Sequence, residues 1–175
     1  MTEHNAADLQ TRAPLEPWLL AALILLLALL EAASVYAAYH TLGEIPRLLY
    51  GLIAAAGNLG VLLLARRKRR AAALAALLLA LAVVPYQAAL AVRLHRVQGE
   101  AARIVAYAYE QRLQTGAYPA DLTGYPFHDA AMRPFIQGYQ RNEAECGGFC
   151  LFYRVGAEST SHSYSPRNGW GYYPD

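Results

Sequence analysis

The sequence lacks the short motifs that commonly carry catalytic chemistry. It contains no G-x-S-x-G, no H-E-x-x-H and no glycine-rich phosphate loop. Its histidines are scattered along the chain, with no two at metal-ligand spacing: His4, His40, His95, His128 and His162. The dipeptide His128-Asp129 is the nearest approach to an acid–base pair, and such a pair in a loop is usually solvated surface. We therefore expect a protein that is not an enzyme and that holds no metal or cofactor.

The C-terminal half of the chain also has no surplus of positive or negative side chains. Residues 93–175 contain eight arginines and eight acidic side chains, so their net charge is near zero. Proteins that bind nucleic acids need a surplus of cations to neutralise phosphates, and we expect no nucleic-acid partner. The apolar fraction of the whole chain is 56%, above the roughly 45–50% of soluble proteins, and the excess lies in residues 18–92.

Three apolar stretches in this N-terminal part are candidates for membrane-spanning helices. They cover residues 18–39, 48–65 and 71–92, and about 20 apolar residues are needed to cross a bilayer. A buried helical core in a soluble protein is the alternative, but it would leave almost no polar face for water. The sequence predicts a tail of residues 1–17, three transmembrane helices in residues 18–92, and a water-facing domain in residues 93–175.

Five consecutive cations separate the second and third stretches: Arg66, Arg67, Lys68, Arg69 and Arg70. Short loops rich in lysine and arginine stay on the cytoplasmic side of a membrane. As a topology anchor, this block places the N-terminus in the cytoplasm, and it places a loop at residues 39–47 and the domain of residues 93–175 on the other side. Binding of the block to anionic lipid or nucleic acid is the less favoured interpretation.

The polar side chains inside the predicted spans include Glu31, Asn58, Tyr86 and Gln87. At about 1.5 Å of rise per residue, Glu31, Tyr86 and Gln87 fall at similar depths. In a packed bundle, Glu31 could therefore bond to Tyr86 or Gln87, which would be a functional signal. In the favoured alternative, a tilted helix lets Glu31 reach the outer headgroups.

The third stretch is predicted to continue as an amphipathic helix into the water-facing domain. Apolar residues recur at helical spacing from Leu94 to Ala108, and Gly116 is the expected end. Charged residues on the opposite face are expected to meet solvent: Arg96, Glu100, Arg103 and Glu110. Aromatic runs follow at residues 135–139, 149–155, 161–165 and 170–173. The predicted fold class is three transmembrane α-helices plus a small α+β domain, with a long helix packed on an antiparallel sheet.

The two cysteines, Cys146 and Cys150, enclose a short glycine-containing turn. Thiols outside the cytoplasm tend to oxidise, so a disulfide between them is the favoured interpretation. Free thiols, or metal ligands together with His128 or His162, remain alternatives, although zinc usually requires four ligands.

The passage Y-E-Q-R-L-Q-T-G-A-Y-P-A-D-L, residues 109–122, closes the predicted long helix. It resembles the Y…G-Y-P-x-x-L passage of type IV pilins and type II secretion pseudopilins, and the resemblance covers about residues 75–175. It implies a spine helix packed on an antiparallel sheet, with assembly through the helix. The chain departs from the family pattern at Arg69-Arg70-Ala71, where the leader glycine and the following glutamate are missing. Leader cleavage and filament formation are therefore not expected.

Together these features predict a non-enzymatic, membrane-anchored envelope protein whose pilin-like outer domain serves protein–protein interaction or assembly. The resemblance implies a bacterial inner membrane, with the C-terminal domain periplasmic or extracellular. The expected partners are the lipid bilayer and other envelope proteins, or a second copy through helix packing at Gly51-x-x-x-Ala55 and Ala56-x-x-x-Gly60. The alternative is an accessory subunit of a small-solute or proton transporter that uses Glu31, Asn58 and Gln87.

Overall fold

The computed structural model of the chain describes residues 16–156 and 160–174, so the predicted tail lies almost wholly outside it. Three long helices come first: α1 (Pro17–Leu42), α2 (Glu44–Ala65) and α3 (Arg69–Thr115). A 3-10 helix (Ala130–Phe135) and a short helix, α4 (Glu143–Cys146), lie among four strands and their connections. The strands are β1 (Ile136–Asn142), β2 (Gly148–Tyr153), β3 (Ser161–Ser165) and β4 (Gly169–Tyr173).

The three helices are each long and apolar enough to cross a membrane, which confirms the three predicted apolar stretches. The prediction of a loop at residues 39–47 is wrong, because α1 and α2 are separated by Gly43 alone. Gly43 has a φ of 98°, and its N–H donates to the carbonyl of Ala38 at 3.2 Å. Only glycine adopts this backbone conformation readily, so one residue is enough to reverse the chain.

Small side chains let the three helices approach closely. Ala72, Ala76 and Ala80 recur every fourth residue along α3 and are buried against Leu27 and Val61. On α2, a Cβ added at Gly57 would lie 2.5 Å from the side chain of Leu79 of α3. The close approach of α2 to α3 therefore occurs at Gly57. At Gly60, which belongs to the predicted small-residue motif, an added Cβ would meet nothing within 4 Å.

The third helix continues without a break from the bundle into the C-terminal domain. It contains 47 residues, which corresponds to roughly 70 Å, and Pro85 lies within it. It ends as predicted at Gly116, whose φ is 84° and whose N–H donates to Arg112 at 2.8 Å. A single continuous helix thus connects the two regions.

The sheet is antiparallel throughout, in the order β1-β2-β3-β4. The apolar stripe of α3 packs on one face of it, mainly through Ile104 and Ala108 against Phe149 and Leu151 of β2. All four of these side chains are fully buried. The predicted helix on an antiparallel sheet is confirmed.

The strands run along the axis of α3. Phe149, at the start of β2, contacts the ring of Tyr109 near the end of α3, with ring centroids 6.1 Å apart. Tyr153, at the end of β2, lies in the same cleft lining as Gln98 of α3, eleven residues before Tyr109. Thus β2 runs back toward the helical bundle, and β4 runs in the same direction because β3 separates them.

The connection between α3 and the sheet covers part of the charged face of α3, at Glu100. Arg96 forms an ion pair with Asp129 at 2.6 Å. The carboxylate of Glu100 accepts hydrogen bonds from the hydroxyl of Tyr125 at 2.8 Å and the backbone N–H groups of His128 and Asp129 at 3.0 and 3.2 Å. The expectation that Glu100 meets solvent is wrong, because this connection folds over it.

Candidate functional site

Aromatic rings from three neighbouring strands form a ladder at the end of the sheet nearest α1. Tyr153 pairs in register with His162, and His162 with Tyr172. The His162 ring is stacked between the two tyrosines, with centroid distances of 5.0 and 4.4 Å and interplanar angles of 13° and 25°. Alternate residues of a strand share a face, so Tyr164 and Trp170 lie on the same face of the sheet as this ladder.

An open cleft of about 480 Å³ lies beside the ladder, between the sheet, α3 and the end of α1. The buried rings of Tyr153 and His162 line it, together with Gln98 of α3 and His40 of α1. Trp170 of β4 also lines it and remains 51% exposed. The described lining contains no carboxylate, lysine or arginine. Such a concave, largely apolar surface with a few polar groups is suited to binding.

Hydrogen bonds and ring contacts hold the cleft against the end of α1. A ring nitrogen of His162, Nε2, lies 2.9 Å from the carbonyl oxygen of His40. The hydroxyl of Tyr172 donates to the carbonyl of Tyr39, and the Tyr172 ring lies 5.3 Å from the Tyr39 ring and 5.2 Å from the His40 ring. The shape of the cleft therefore depends on contacts between the sheet and the helical bundle.

The backbone at Gly156 lies very close to the end of α1. A Cβ on Gly156 would lie 2.2 Å from the carbonyl oxygen of Thr41, so only glycine fits there. Nearby, the guanidinium of Arg93 on α3 donates to the carbonyl of Val155 at 3.0 Å. Elements from both regions therefore position the segment that follows β2.

Burial keeps three of the cleft's side chains, Tyr153, His162 and Tyr172, uncharged at neutral pH. Burial lowers the pKa of His162 below its usual value of 6.5. Burial raises the pKa of both Tyr153 and Tyr172 to about 12. The imidazole is therefore neutral and the tyrosines are protonated at pH 7, so the cleft suits an uncharged group.

Glu31 and Asn58 meet inside the helical bundle. Glu31 is 2% exposed and accepts a hydrogen bond from the side-chain amide of Asn58. Its other carboxylate oxygen has no hydrogen-bond partner among the described residues. The predicted bond to Tyr86 or Gln87 is wrong, and so is the alternative of a side chain reaching outward. The face of α1 that carries Glu31 packs on α2, whereas Tyr86 is 52% exposed on the outside of the bundle.

Gln87 belongs to a second polar layer, nearer the sheet. Its side-chain oxygen accepts a hydrogen bond from the hydroxyl of Thr41 at 3.0 Å, and its amide nitrogen has no partner within the described part of the chain. Glu31 and Thr41 are ten residues apart on the buried face of α1, or about 15 Å. The structure thus separates two side chains that sequence reasoning placed together.

The five cations lie at the end of the bundle opposite the sheet. Arg66 and Arg67 form the turn after α2, Lys68 precedes α3, and Arg69 and Arg70 begin α3. All five are exposed.

The two cysteines form a disulfide, with Cα atoms 5.6 Å apart, as predicted. Because they are bonded to each other, the alternatives of free thiols or of metal binding with His128 or His162 are wrong. The bond lies at the end of β2 away from the cleft. Among the described residues, no group of three or more His, Cys, Asp or Glu side chains could hold a metal ion.

Sequence reasoning predicted the aromatic strands but did not find the cleft. A signal was present in the alternation of His162-x-Tyr164 and Trp170-x-Tyr172 on either side of a tight turn. Two strands joined by a tight turn pair antiparallel, and in the observed register these rings share one face of the hairpin.

Comparison of the chain with family models, with curated proteins and with solved structures gives no match. The resemblance to pilins and pseudopilins stays a prediction, and function has to be argued from the site itself.

Proposed function

We propose that this chain is a bacterial inner-membrane protein whose C-terminal domain lies outside the cytoplasm and binds other envelope proteins without enzymatic activity. The observation that carries the proposal is the aromatic cleft, with Trp170 half exposed at its rim. Tryptophan and tyrosine are enriched at protein interfaces, where they supply much of the binding energy. The described lining offers two imidazoles but no serine, threonine or cysteine nucleophile for them to activate and no carboxylate to orient them.

The distribution of charge supports the orientation. The exposed cations, residues 66–70, lie at one end of the bundle and the sheet domain lies at the other. With the cations in the cytoplasm, α3 crosses the membrane in its first half and carries the sheet domain on the far side in its second half.

The path of α3 supports a pilin-like module that stays in the membrane. One continuous helix passes from the apolar bundle into the outer domain and packs on an antiparallel sheet. This is the arrangement that the resemblance to pilins implies. The two helices that precede α3 would retain the protein as a single membrane-anchored unit.

Thiol labelling in intact cells tests the orientation. A membrane-impermeant maleimide should label Cys146 and Cys150 only after a reductant has opened the disulfide. In the matched control, Arg67→Cys in a Cys146→Ser/Cys150→Ser background should react only after the cells are lysed. Labelling of position 67 in intact cells, or protection of reduced Cys146 and Cys150 until lysis, would contradict the orientation.

Chemical cross-linking in native membranes, followed by purification of the chain, tests the binding function. Trp170→Ala should reduce the yield of a cross-linked partner by about tenfold, the loss of one good hot-spot residue. Leu113→Ala is the control, since Leu113 is 88% exposed near the end of α3, away from the cleft. Equal yields from both variants would remove the cleft from the proposed function.

Transport is the second candidate function, as an accessory subunit for a small solute or a proton. It is favoured by two buried polar atoms in the bundle that lack partners among the described residues: one Glu31 oxygen and the Gln87 amide nitrogen. Unsatisfied polar groups between apolar helices often mark ion or proton pathways. Glu31→Gln should then abolish flux in reconstituted vesicles while leaving the cross-linked partner unchanged, and undiminished flux would exclude this role for Glu31.

A further inference from the structure

The two edges of the sheet differ in their chemistry. β1, at one edge, carries Gln137, Gln140 and Arg141, and polar or charged side chains discourage other strands from pairing. β4, at the other edge, has no charged residue from Gly169 to Tyr173. An uncharged edge strand offers its free backbone N–H and C=O groups to an added strand.

The edge of β4 is open in the described part of the chain, where this strand pairs with β3 alone. Aromatic side chains stand on both of its faces, with Trp170 51% and Tyr173 68% exposed. Trp170 and Tyr172 point to the face that carries the cleft. A strand added beside β4 would therefore place alternate side chains at the mouth of the cleft.

The direction of β4 argues against a second copy of this chain as the added antiparallel strand. Tyr172 contacts the end of α1, whereas Trp170 lies beside Tyr164, whose hydroxyl is 3.2 Å from that of Tyr109 near the end of α3. β4 therefore runs toward the bundle. Antiparallel pairing of two β4 strands would point the two bundles in opposite directions, so both could not lie in the same bilayer.

The lining of the cleft defines the side chain that it can accept. Its volume of about 480 Å³ accommodates a large side chain, and its buried imidazole, His162, is neutral at pH 7. Burying a charge there without a partner would be costly. The exposed amide of Gln98 at the rim could bond to the backbone of an extended peptide.

We propose that β4 is the docking edge for an extended segment of a different protein, which pairs antiparallel with β4 and inserts an uncharged apolar side chain into the cleft. This inference rests on the proposed function, since it names the kind of partner and its mode of binding. The segment runs away from the membrane, opposite to β4.

Site-specific photo-cross-linking in cells that naturally make the protein tests this pairing. The probe is p-benzoylphenylalanine, placed at position 170 or 173 on β4, where aromatic residues already stand. Placement at Gln137, exposed on the β1 edge, is the matched control. Cross-linked sites in the partner are then mapped by mass spectrometry.

The expected result is one short stretch of one protein cross-linked from both β4 positions. Because the pairing is antiparallel, the site reached from position 173 should lie about three residues N-terminal to the site reached from position 170. Position 137 should not reach that stretch. Scattered sites, the opposite order, or sites on a second copy of this chain would overturn the proposal.

A charge on the edge provides the second test. Tyr173→Lys should reduce cross-linking from position 170 by tenfold or more, because lysine on an edge strand opposes pairing. Gln137→Lys, which adds the same charge to the β1 edge, should leave cross-linking from position 170 unchanged. An equal response of the two variants, with the disulfide formed in both, would overturn the proposal.

Failure of this inference can be distinguished from failure of the proposed function. Cross-links to envelope proteins from Leu113 or Phe152, with none from positions 170 and 173, would retain the binding function and overturn docking at β4. Quenching of Trp170 fluorescence by a neutral oligosaccharide such as chitotetraose, without protein cross-links at β4, would identify a glycan site and would also overturn the inference.

Discussion

Glu31 in the helical bundle and Glu100 in the sheet domain are both buried, at 2% and 0% exposure, yet their surroundings differ. Glu100 accepts hydrogen bonds from a tyrosine hydroxyl and two backbone N–H groups, and Arg103 lies 3.3 Å away. Glu31 accepts one bond, from Asn58, and its second oxygen has no partner among the described residues.

The difference arises from the backbone around each carboxylate. In the bundle, helices use their N–H groups internally, so only another side chain can donate to Glu31. In the outer domain, the irregular connection after α3 has free N–H groups, and those of His128 and Asp129 converge on Glu100. A buried carboxylate whose oxygens all accept hydrogen bonds supports the fold, whereas one with an oxygen that lacks a partner is a candidate for function.

Among the variants that test this difference, Glu100→Ala is expected to cause the largest loss of stability. This change leaves a buried hydroxyl and two part-buried backbone N–H groups without an acceptor, and we expect a loss of about 3–5 kcal/mol in the free energy of unfolding of the outer domain. Urea denaturation in nanodiscs, followed by near-ultraviolet circular dichroism, would measure it. Glu110→Ala, on the exposed side of the same helix, is the control. A similar, small loss for both variants would show that Glu100 does not organise the connection.

Breaking the disulfide should have the next largest effect, and only on the outer domain. Cross-linking residues four apart removes little chain entropy from the unfolded state, so reduction should cost about 2 kcal/mol. Denaturation with and without a reductant measures it. The Cys146→Ser/Cys150→Ser variant should show no response to the reductant. A shift in the unfolding of the bundle would contradict the separation of the two regions.

The junction between the regions should respond to pH through His162. Burial lowers its pKa in the folded state below 6.5, so the unfolded state takes up the proton first. Stability is therefore fully present above pH 6.5 and declines as the pH falls toward the folded-state pKa. We expect this effect to be smaller than that of the disulfide, because a single imidazole is involved. Thermal unfolding between pH 4 and 8 should show a weaker dependence in His162→Phe, and an unchanged dependence would exclude His162 as the cause.

The smallest expected effect is in the bundle. Asn58→Leu removes the one bond to Glu31, and side-chain bonds between membrane helices contribute about 0.6 kcal/mol on average. Unfolding in mixed detergent micelles would measure the change, with Leu59→Ala, exposed on the neighbouring position, as the control. A loss as large as that of Glu100→Ala would show that the two glutamates play similar structural roles.

Local patterns were sufficient to predict most elements of this fold. Runs of apolar residues predicted three helices, Gly116 predicted the end of α3, and the aromatic runs predicted four strands close to their observed bounds. These features depend on residues near one another in the chain. The error at residues 39–47 arose because polar residues there suggested a loop, whereas Gly43 alone makes the turn.

The candidate site was less accessible to prediction. The rings of Tyr153, His162 and Tyr172 are separated in the chain and meet only through strand register. Their contact with α1 joins residues more than a hundred positions apart. No local pattern specifies which helix end lies under which strand.

The sequence by itself determined the apolar spans, the antiparallel strands, the long helix and the cysteine pair, because periodicity, turn residues and short loops act over a few positions. Only the tertiary structure decided that Glu100 is buried, that Glu31 meets Asn58 and not Gln87, and that a cleft opens beside β4. Those outcomes depend on how whole helices and strands pack against one another, and packing is set by the fit of all their side chains at once.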